Sequence, residues 1–192
     1  MRYHTISLII LISLLLNFSG SFVTTFFDLP LFLDAPGTIL CAVMIGPWIG
    51  GLVGLVTNIL KGIFYTTHSI PFGVVNFGVG VIAGYMTIYL KGYQRPITPL
   101  LVGVATAFSA AILAAPIATY IFGGITAHGI DRLVVALVES GQSVLSSAFW
   151  GRIPYSFVDK LLSAYMVFFI IKAWRGVSDK RFVDNDRGRP NG

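Results

Sequence analysis

Long apolar runs separated by short polar connections dominate the hydrophobic pattern of the chain. An α-helix rises about 1.5 Å per residue, so roughly 20 apolar residues cross the ~30 Å of hydrocarbon in a bilayer. Six runs are long enough, or nearly so, and they predict an all-α integral membrane protein with a six-transmembrane-helix bundle. The predicted spans are residues 5–27, 37–60, 72–91, 98–122, 131–150 and 155–174. A flexible basic tail, 175–192, follows this membrane domain, 1–174.

Rows of small residues at a spacing of four recur inside three of the predicted helices. Glycine costs about 1 kcal/mol against alanine in a water-exposed helix. In lipid, however, small residues let two helix backbones approach closely. Packing within the bundle explains such rows, and so does a docking face for another membrane subunit. The docking candidates are Ser13, Asn17, Gly46, Gly50, Gly54, Asn58, Ala107 and Ala111.

Composition supports the membrane assignment and narrows the function. Of the 192 residues, 55% are hydrophobic and 11% are charged, which is too much apolar surface for a soluble domain of this size to bury. The sequence contains no P-loop, dinucleotide fingerprint, GxSxG or HExxH motif, so we predict neither an enzyme nor a cofactor. One cysteine and three scattered histidines give no metal site. The net charge of +5 comes mostly from the tail, and it gives no reason to expect a nucleic-acid partner.

Basic residues near the ends of the spans predict the orientation, because they favour the cytoplasmic side. A multi-pass protein of the cell membrane with both termini cytoplasmic gives the larger inner count. The predicted inner residues are Arg2, Lys61, Arg132, Lys172, Arg175, Lys180 and Arg181, and the outer ones are Lys91, Arg95 and Arg152. The first run resembles a secretory signal, but apolar character resumes at Phe22, which favours a retained helix. The fifth span carries three charges, and a buried or partly interfacial helix is an alternative there.

Polar residues form stripes on the last two predicted helices. Ionisable groups at membrane depth are costly and usually face a cavity or a partner. One stripe holds Glu139, Gln142, Ser143, Ser146 and Trp150, and the other holds Ser156, Asp159, Lys160 and Ser163. Facing each other, the stripes would line a pocket for a small polar solute. The alternative is that Glu139 pairs with Lys160 for structure alone, while the other charges reach the outer interface.

The connection "FFDLPLFLDAPGT" between the first two spans is both aromatic and acidic. Asp28 and Asp34 flank an apolar segment that a solvated loop would not need, so we predict a lid over the outer mouth. An interfacial anchor is the alternative. The segment "WGRIP" brings Trp150 and Arg152 to the same mouth. The predicted substrate-binding residues are Asp28, Asp34, Glu139, Gln142, Ser143, Ser146, Trp150, Arg152, Asp159 and Lys160.

Three segments resemble the substrate-binding S components of energy-coupling factor (ECF) vitamin transporters. They are "LFLDAPGTILCAVMIGPWIGGLVGLVTN", "NFGVGVIAGY" and "VDKLLSAYMVFFIIK", and the resemblance covers about residues 5–174. It implies a monomeric six-helix subunit that binds a vitamin or related micronutrient near its outer face. It also implies docking on a membrane coupling subunit driven by two ABC-type ATPases. The first helix departs from the family pattern, because it has no alanine row.

Two other classes of function compete with a solute-binding subunit. One is a stand-alone channel or carrier, which usually shows an internal repeat; none is convincing here. The other is a membrane sensor or scaffold. Aromatics and charges of both signs at the predicted pocket suit a flat, polar or zwitterionic heterocycle such as a flavin, a pyridoxine-like vitamer or a purine-like base.

Overall fold

The computed structural model describes residues 3–27, 29–126 and 131–187, with side chains described through residue 174. Over these residues the chain is helical, without strands. The helices are α1 (Tyr3–Phe26), α2 (Pro36–Met44), α3 (Pro47–Phe64), α4 (Gly73–Tyr89), α5 (Ile97–Phe122), α6 (Asp131–Glu139) and α7 (Val144–Arg187), with a 3-10 turn at Thr67–Ser69. Within the described part of the chain, α1, α3 and α5 are long and apolar enough to cross a membrane, and α4 is a shorter apolar helix.

The second predicted span is a hairpin of two helices, so the prediction of one continuous helix over 37–60 is wrong. Gly46 adopts φ 143°, a conformation that favours glycine, and Pro47 begins α3. A Cβ on Gly50 would lie 2.5 Å from the Cα of Ala42, which shows that α3 folds back along α2. In a straight helix two residues eight apart would be separated by about 12 Å. The chain therefore reverses direction at Gly46.

The contacts between helices establish the direction of the rest of the chain. Helix α4 runs antiparallel to α3, because Gly54 meets the backbone of Asn76 and Gly84 meets Pro47. Helix α5 returns beside α4, and Phe122 at its end stacks on Phe72 at the start of α4, with ring centroids 5.8 Å apart. The upper end of the bundle is accordingly the end that contains Phe26, Phe64 and Phe122, and the lower end contains Tyr3, Tyr89 and Trp174.

The hairpin changes the side on which later connections lie. Helix α7 descends along α5, because Gly103 contacts Leu161 and the Tyr165 hydroxyl donates to the carbonyl of Pro96. Lys61, near the end of α3, therefore lies at the upper end, opposite Lys172. The prediction that these two lysines share one side is wrong, because it followed from counting α2 and α3 as a single crossing.

The fifth predicted span is also not one helix. Helix α6 ends at Glu139, Gly141 turns the chain with φ 94°, and α7 begins at Val144. The Ser143 hydroxyl accepts a hydrogen bond from the N–H of Ser146 at 3.3 Å, which caps the new helix. Helix α7 passes residue 174 and continues to Arg187, where the sequence predicts a flexible tail.

Part of the bundle interior is polar, beside an apolar core that includes Ile39, Val79 and Val102, and many large apolar side chains are exposed. Helix α1 buries Ser13, Asn17, Ser21 and Thr24 along one stripe, whereas its large apolar side chains such as Leu11 and Leu15 are exposed. A soluble helix shows the reverse arrangement. The exposed face therefore suits lipid, in agreement with a membrane protein.

Asn17 joins three helices at the centre of this polar interior. Its Nδ2 donates to the hydroxyls of Thr38 in α2 and Thr57 in α3, each at 3.0 Å. Its Oδ1 accepts from the N–H of Gly37 at 2.7 Å and of Thr38 at 3.3 Å. These bonds satisfy the first N–H groups of α2, which have no partner within their own helix.

The rows of small residues form packing surfaces within the chain. The backbone of Ser13 meets Gly37, and a Cβ on Gly54 would lie 2.5 Å from the carbonyl oxygen of Asn76. All but one of the predicted docking residues are buried within the chain itself, namely Ser13, Asn17, Gly50, Gly54, Asn58, Ala107 and Ala111. The exception, Gly46, is partly exposed in the hairpin turn. The prediction that these rows contact another subunit stays a prediction.

Candidate functional site

The 29–35 segment, which connects α1 to α2, enters the bundle without forming a helix. Its Leu33 contacts the backbone of Gly20 in α1, and the N–H groups of Phe32 and Leu33 donate to Oδ1 of Asp159 at 3.2 and 2.7 Å. Leu33 has φ 42°, an uncommon conformation for a side chain of this size. Irregular backbone at membrane depth is tolerated where protein buries it or where it lines a cavity.

A chain of four buried charges fixes the lower part of this segment. The Lys160 ammonium lies 2.5 Å from Oδ2 of Asp159 and 3.6 Å from Oδ1 of Asp34. The other oxygen of Asp34 pairs with Lys61 at 3.0 Å. None of the four side chains is more than 13% exposed, so each would cost several kcal/mol if it were unpaired. The cluster ties the 29–35 segment to α3 and α7 and has no net charge.

An amide contact from α4 completes the attachment of the segment. Nδ2 of Asn76 donates to the main-chain carbonyl of Asp34 at 3.2 Å. The side chain and the backbone of Asp34 are thus held by three different helices. Displacing the segment requires these contacts to break together.

Arg152 organises a second polar cluster near the upper end. Arg152 is 2% exposed. Its guanidinium donates to the carbonyl of Ala148 at 3.1 Å and to the hydroxyl of Thr126 at 3.3 Å, and it lies 3.7 Å from the carboxylate of Asp131. Asp131 in turn accepts from the N–H of Thr126 at 2.8 Å. The cluster fastens the end of the α5–α6 connection to α7.

A cavity of about 70 Å³ lies between these two clusters. Its wall combines aromatic rings, amides, hydroxyls and charged groups. The lining residues are Phe32, Asp34, Asn58, Lys61, Ser69, Phe72, Val75, Asn76, Ala110, Ala114, Thr126, Arg152, Ser156 and Lys160. Pockets for drug-sized ligands are usually several hundred Å³. A solute of that size would require the wall to open, and the 29–35 segment, which contributes Phe32 and Asp34, is a non-helical part of that wall.

The structure brings four of the predicted substrate-binding residues together. Asp34, Arg152 and Lys160 line the cavity, and Asp159 lies directly behind Lys160. Ser156, from the same predicted stripe, also contributes to the wall. Asp28 lies outside the described residues.

Five other predicted residues do not reach the cavity. Glu139 is exposed at the end of α6, and Trp150 is 58% exposed. The remaining three are the residues around the start of α7, where the Ser146 hydroxyl donates to Oε1 of Gln142 and Ser143 caps the helix. Lys160 lies sixteen residues beyond Val144, about 24 Å along the helix. The predicted contact between Glu139 and Lys160 is therefore wrong.

Several lining residues were missed by sequence reasoning. Lys61 was assigned to the opposite side of the membrane, and Asn76 and Phe72 were treated as parts of an ordinary apolar helix. The available signal was the pair Gly46–Pro47, because glycine commonly ends helices and proline commonly begins them. A helix break at this pair brings Lys61 to the same end as Asp34.

The cavity wall combines fixed charges with apolar surface. Charged groups that line the cavity are held by neighbouring carboxylates, ammonium groups and amides, and the aromatic rings of Phe32 and Phe72 offer apolar contact area. Such a combination of apolar wall and a few fixed polar groups is typical of small-molecule sites. Comparisons of the chain with protein-family models, with curated proteins and with solved structures find no match.

Proposed function

We propose that the chain is the substrate-binding membrane subunit of an ECF-type importer, which captures a vitamin or related micronutrient at the outer face of the cell membrane. The observation that carries the proposal is the polar cavity beneath the 29–35 segment, set in a helix bundle with an apolar exterior. A binding subunit needs a site that closes over its solute. The segment that the sequence predicts as a lid contributes Phe32 and Asp34 to the wall of this cavity.

The distribution of basic residues supports an outward-facing cavity. Lys91 and Arg95 lie in the α4–α5 connection at the lower end, and Lys172 lies near the same end of α7. At the upper end, Lys61 and Arg152 are paired with buried carboxylates. Basic residues in short connections favour the cytoplasmic side, so the lower end is taken as cytoplasmic. In this orientation Tyr3 and Trp174, which both lie at the lower end of the bundle, are on the cytoplasmic side.

The proposal includes six crossings, with boundaries that differ from those predicted. The crossings are α1, the 29–35 segment with α2, α3, α4, α5 and α7. An extended segment of seven residues and a helix of nine span at most about 37 Å together, which is enough for a bilayer. Helix α6 is then a short helix at the outer end. A coupling subunit would have to bind outside the buried rows of small residues.

Co-purification from native membranes tests the proposal. The chain, tagged at its C-terminus and expressed at its natural level, should be recovered with a membrane coupling subunit and two ABC-type ATPases, identified by mass spectrometry. A tagged polytopic protein of the same cell serves as the control for nonspecific recovery. Recovery of the tagged chain without any ATPase, combined with solute uptake by the chain alone in proteoliposomes, would contradict the proposal and favour a stand-alone carrier.

A further inference from the structure

The charges on the wall of the cavity are unevenly divided. Lys61, Arg152 and Lys160 line it, whereas Asp34 is the only carboxylate among the lining residues that the structure describes. The carboxylates of Asp159 and Asp131 lie behind this wall. There they accept hydrogen bonds from main-chain N–H groups of the 29–35 segment and of Thr126, respectively, and each also pairs with a wall cation. Among charged groups, a solute in the cavity therefore meets three cations and one carboxylate.

The one lining carboxylate is carried by the proposed lid. A solute larger than the cavity of about 70 Å³ needs its wall to open, and the proposed lid, the 29–35 segment, carries Asp34. Lys160 would keep Asp159 at 2.5 Å after such a shift. Lys61 would lose Asp34, its ion-pair partner in the described part of the chain. The open cavity would then hold one uncompensated positive charge, which is costly at this depth.

We propose that the solute is a small organic anion whose acidic group takes the position of the Asp34 carboxylate between Lys61 and Lys160. This inference rests on the proposed function and narrows its substrate class. A carboxylate in that position restores neutrality and satisfies both ammonium groups, and a flat apolar body can pack on Phe72, which lines the same cavity. A cationic solute would place its charge beside Lys61. The zwitterionic heterocycle that the sequence suggests is thereby narrowed to a solute with an acidic group.

Chemical rescue of an Asp34→Asn variant tests this inference directly. The purified variant in lipid nanodiscs should unfold at a lower temperature than the wild type. Millimolar benzoate should restore at least half of the lost Tm, because its carboxylate can replace that of Asp34. Benzamide has nearly the same shape and no charge, and it should not. The double variant Asp34→Asn with Lys61→Met should show no rescue, because the cation that needs a partner is gone.

Phenylphosphonate identifies the kind of acidic group. Rescue by benzoate alone indicates a carboxylate site, and stronger rescue by phenylphosphonate indicates a phosphoryl site; both outcomes support an anionic solute. Equal rescue by benzamide and benzoate would overturn the inference, since shape rather than charge would then decide binding.

Equilibrium dialysis of radiolabelled benzoate keeps the inference testable if the Asp34→Asn variant does not fold. The wild type should bind benzoate at least tenfold more tightly than Lys61→Met does. Lys172→Met, at the other end of the bundle, is the matched control and should bind like the wild type. Absence of measurable benzoate binding to the wild type, or equal binding by all three proteins, would overturn the inference. These measurements use the isolated chain, so their failure is distinguishable from a failure to recover ATPases.

Discussion

The packing of α2 between its neighbours depends on the missing side chain of Gly50. A Cβ at this position would lie 2.5 Å from the Cα and 2.6 Å from the N of Ala42, whereas ordinary contacts begin at 3.4 Å. A Gly50→Ala variant must therefore displace α2 by about 0.9 Å. Helix α3 cannot move away instead, because Gly80 of α4 presses on the backbone of Gly50 from another direction. Overpacking of this kind costs about 1–3 kcal/mol.

Thermal unfolding in detergent, followed by tryptophan fluorescence, measures this cost. A domain of this size loses about 2–4 °C of Tm per kcal/mol, so Gly50→Ala should lower Tm by roughly 2–12 °C. Gly78→Ala is the matched control in α4. Its Cβ would meet only the terminal Cδ1 of Leu113, at 2.7 Å, and that methyl group can rotate away. The same Tm for both variants would refute the reasoning, because backbone contact at Gly50 would then carry no cost.

Three further substitutions test the lid, the polar interior and the lipid face. Asp159→Asn should loosen the 29–35 segment, since a hydrogen bond to a charged group contributes about 1.5–3 kcal/mol. Maleimide labelling of a cysteine substituted for Leu31 should then become at least about tenfold faster, and an unchanged rate would contradict the contact between Asp159 and this segment. Asn17→Ala should lower Tm by several degrees, since each buried polar group left without a hydrogen bond costs about 1–3 kcal/mol. Ser7→Ala, at an exposed position of the same helix, should leave Tm unchanged, and equal Tm values for the two variants would count against the central role of Asn17. Leu52→Lys should reduce membrane insertion in a translocon assay relative to Leu52→Phe, by up to about 3–4 kcal/mol. Equal insertion would argue against lipid contact.

Helices could be predicted wherever a long apolar run has clear limits. The runs predicted at 5–27, 72–91 and 98–122 coincide with α1, α4 and α5 to within about two residues at each end. The hairpin at Gly46 could not be obtained from the small-residue rows. Spacing by four residues indicates where backbones approach, but it does not indicate whether the neighbour is another helix or the same chain after a turn.

The charged residues of the site were predictable as a group, whereas their pairing was not. Asp34, Arg152 and Lys160 were selected because ionised groups are rare and costly in apolar helices. Which carboxylate reaches Lys160 depends on turns that the apolar pattern does not show. Counting α2 and α3 as one crossing places Lys61 on the wrong side, and counting 131–150 as one helix makes Glu139 the expected partner of Lys160. The unrecognised turns at Gly46 and Gly141 therefore account for the missed residue and the false pair, respectively.

The buried ion pairs also bear on how the ribosome can deliver this chain to the membrane. Lys61 follows Asp34 by 27 residues, Arg152 follows Asp131 by 21, and Asp159 and Lys160 are adjacent. Each pair can therefore leave the translocon as a neutral unit, before the rest of the protein has been synthesised. Among the ion pairs of the described residues, the contact of Lys160 with Asp34, at 3.6 Å, is the one that joins the first and last thirds of the chain. Final closure of the bundle then adds a contact between units that are already neutral.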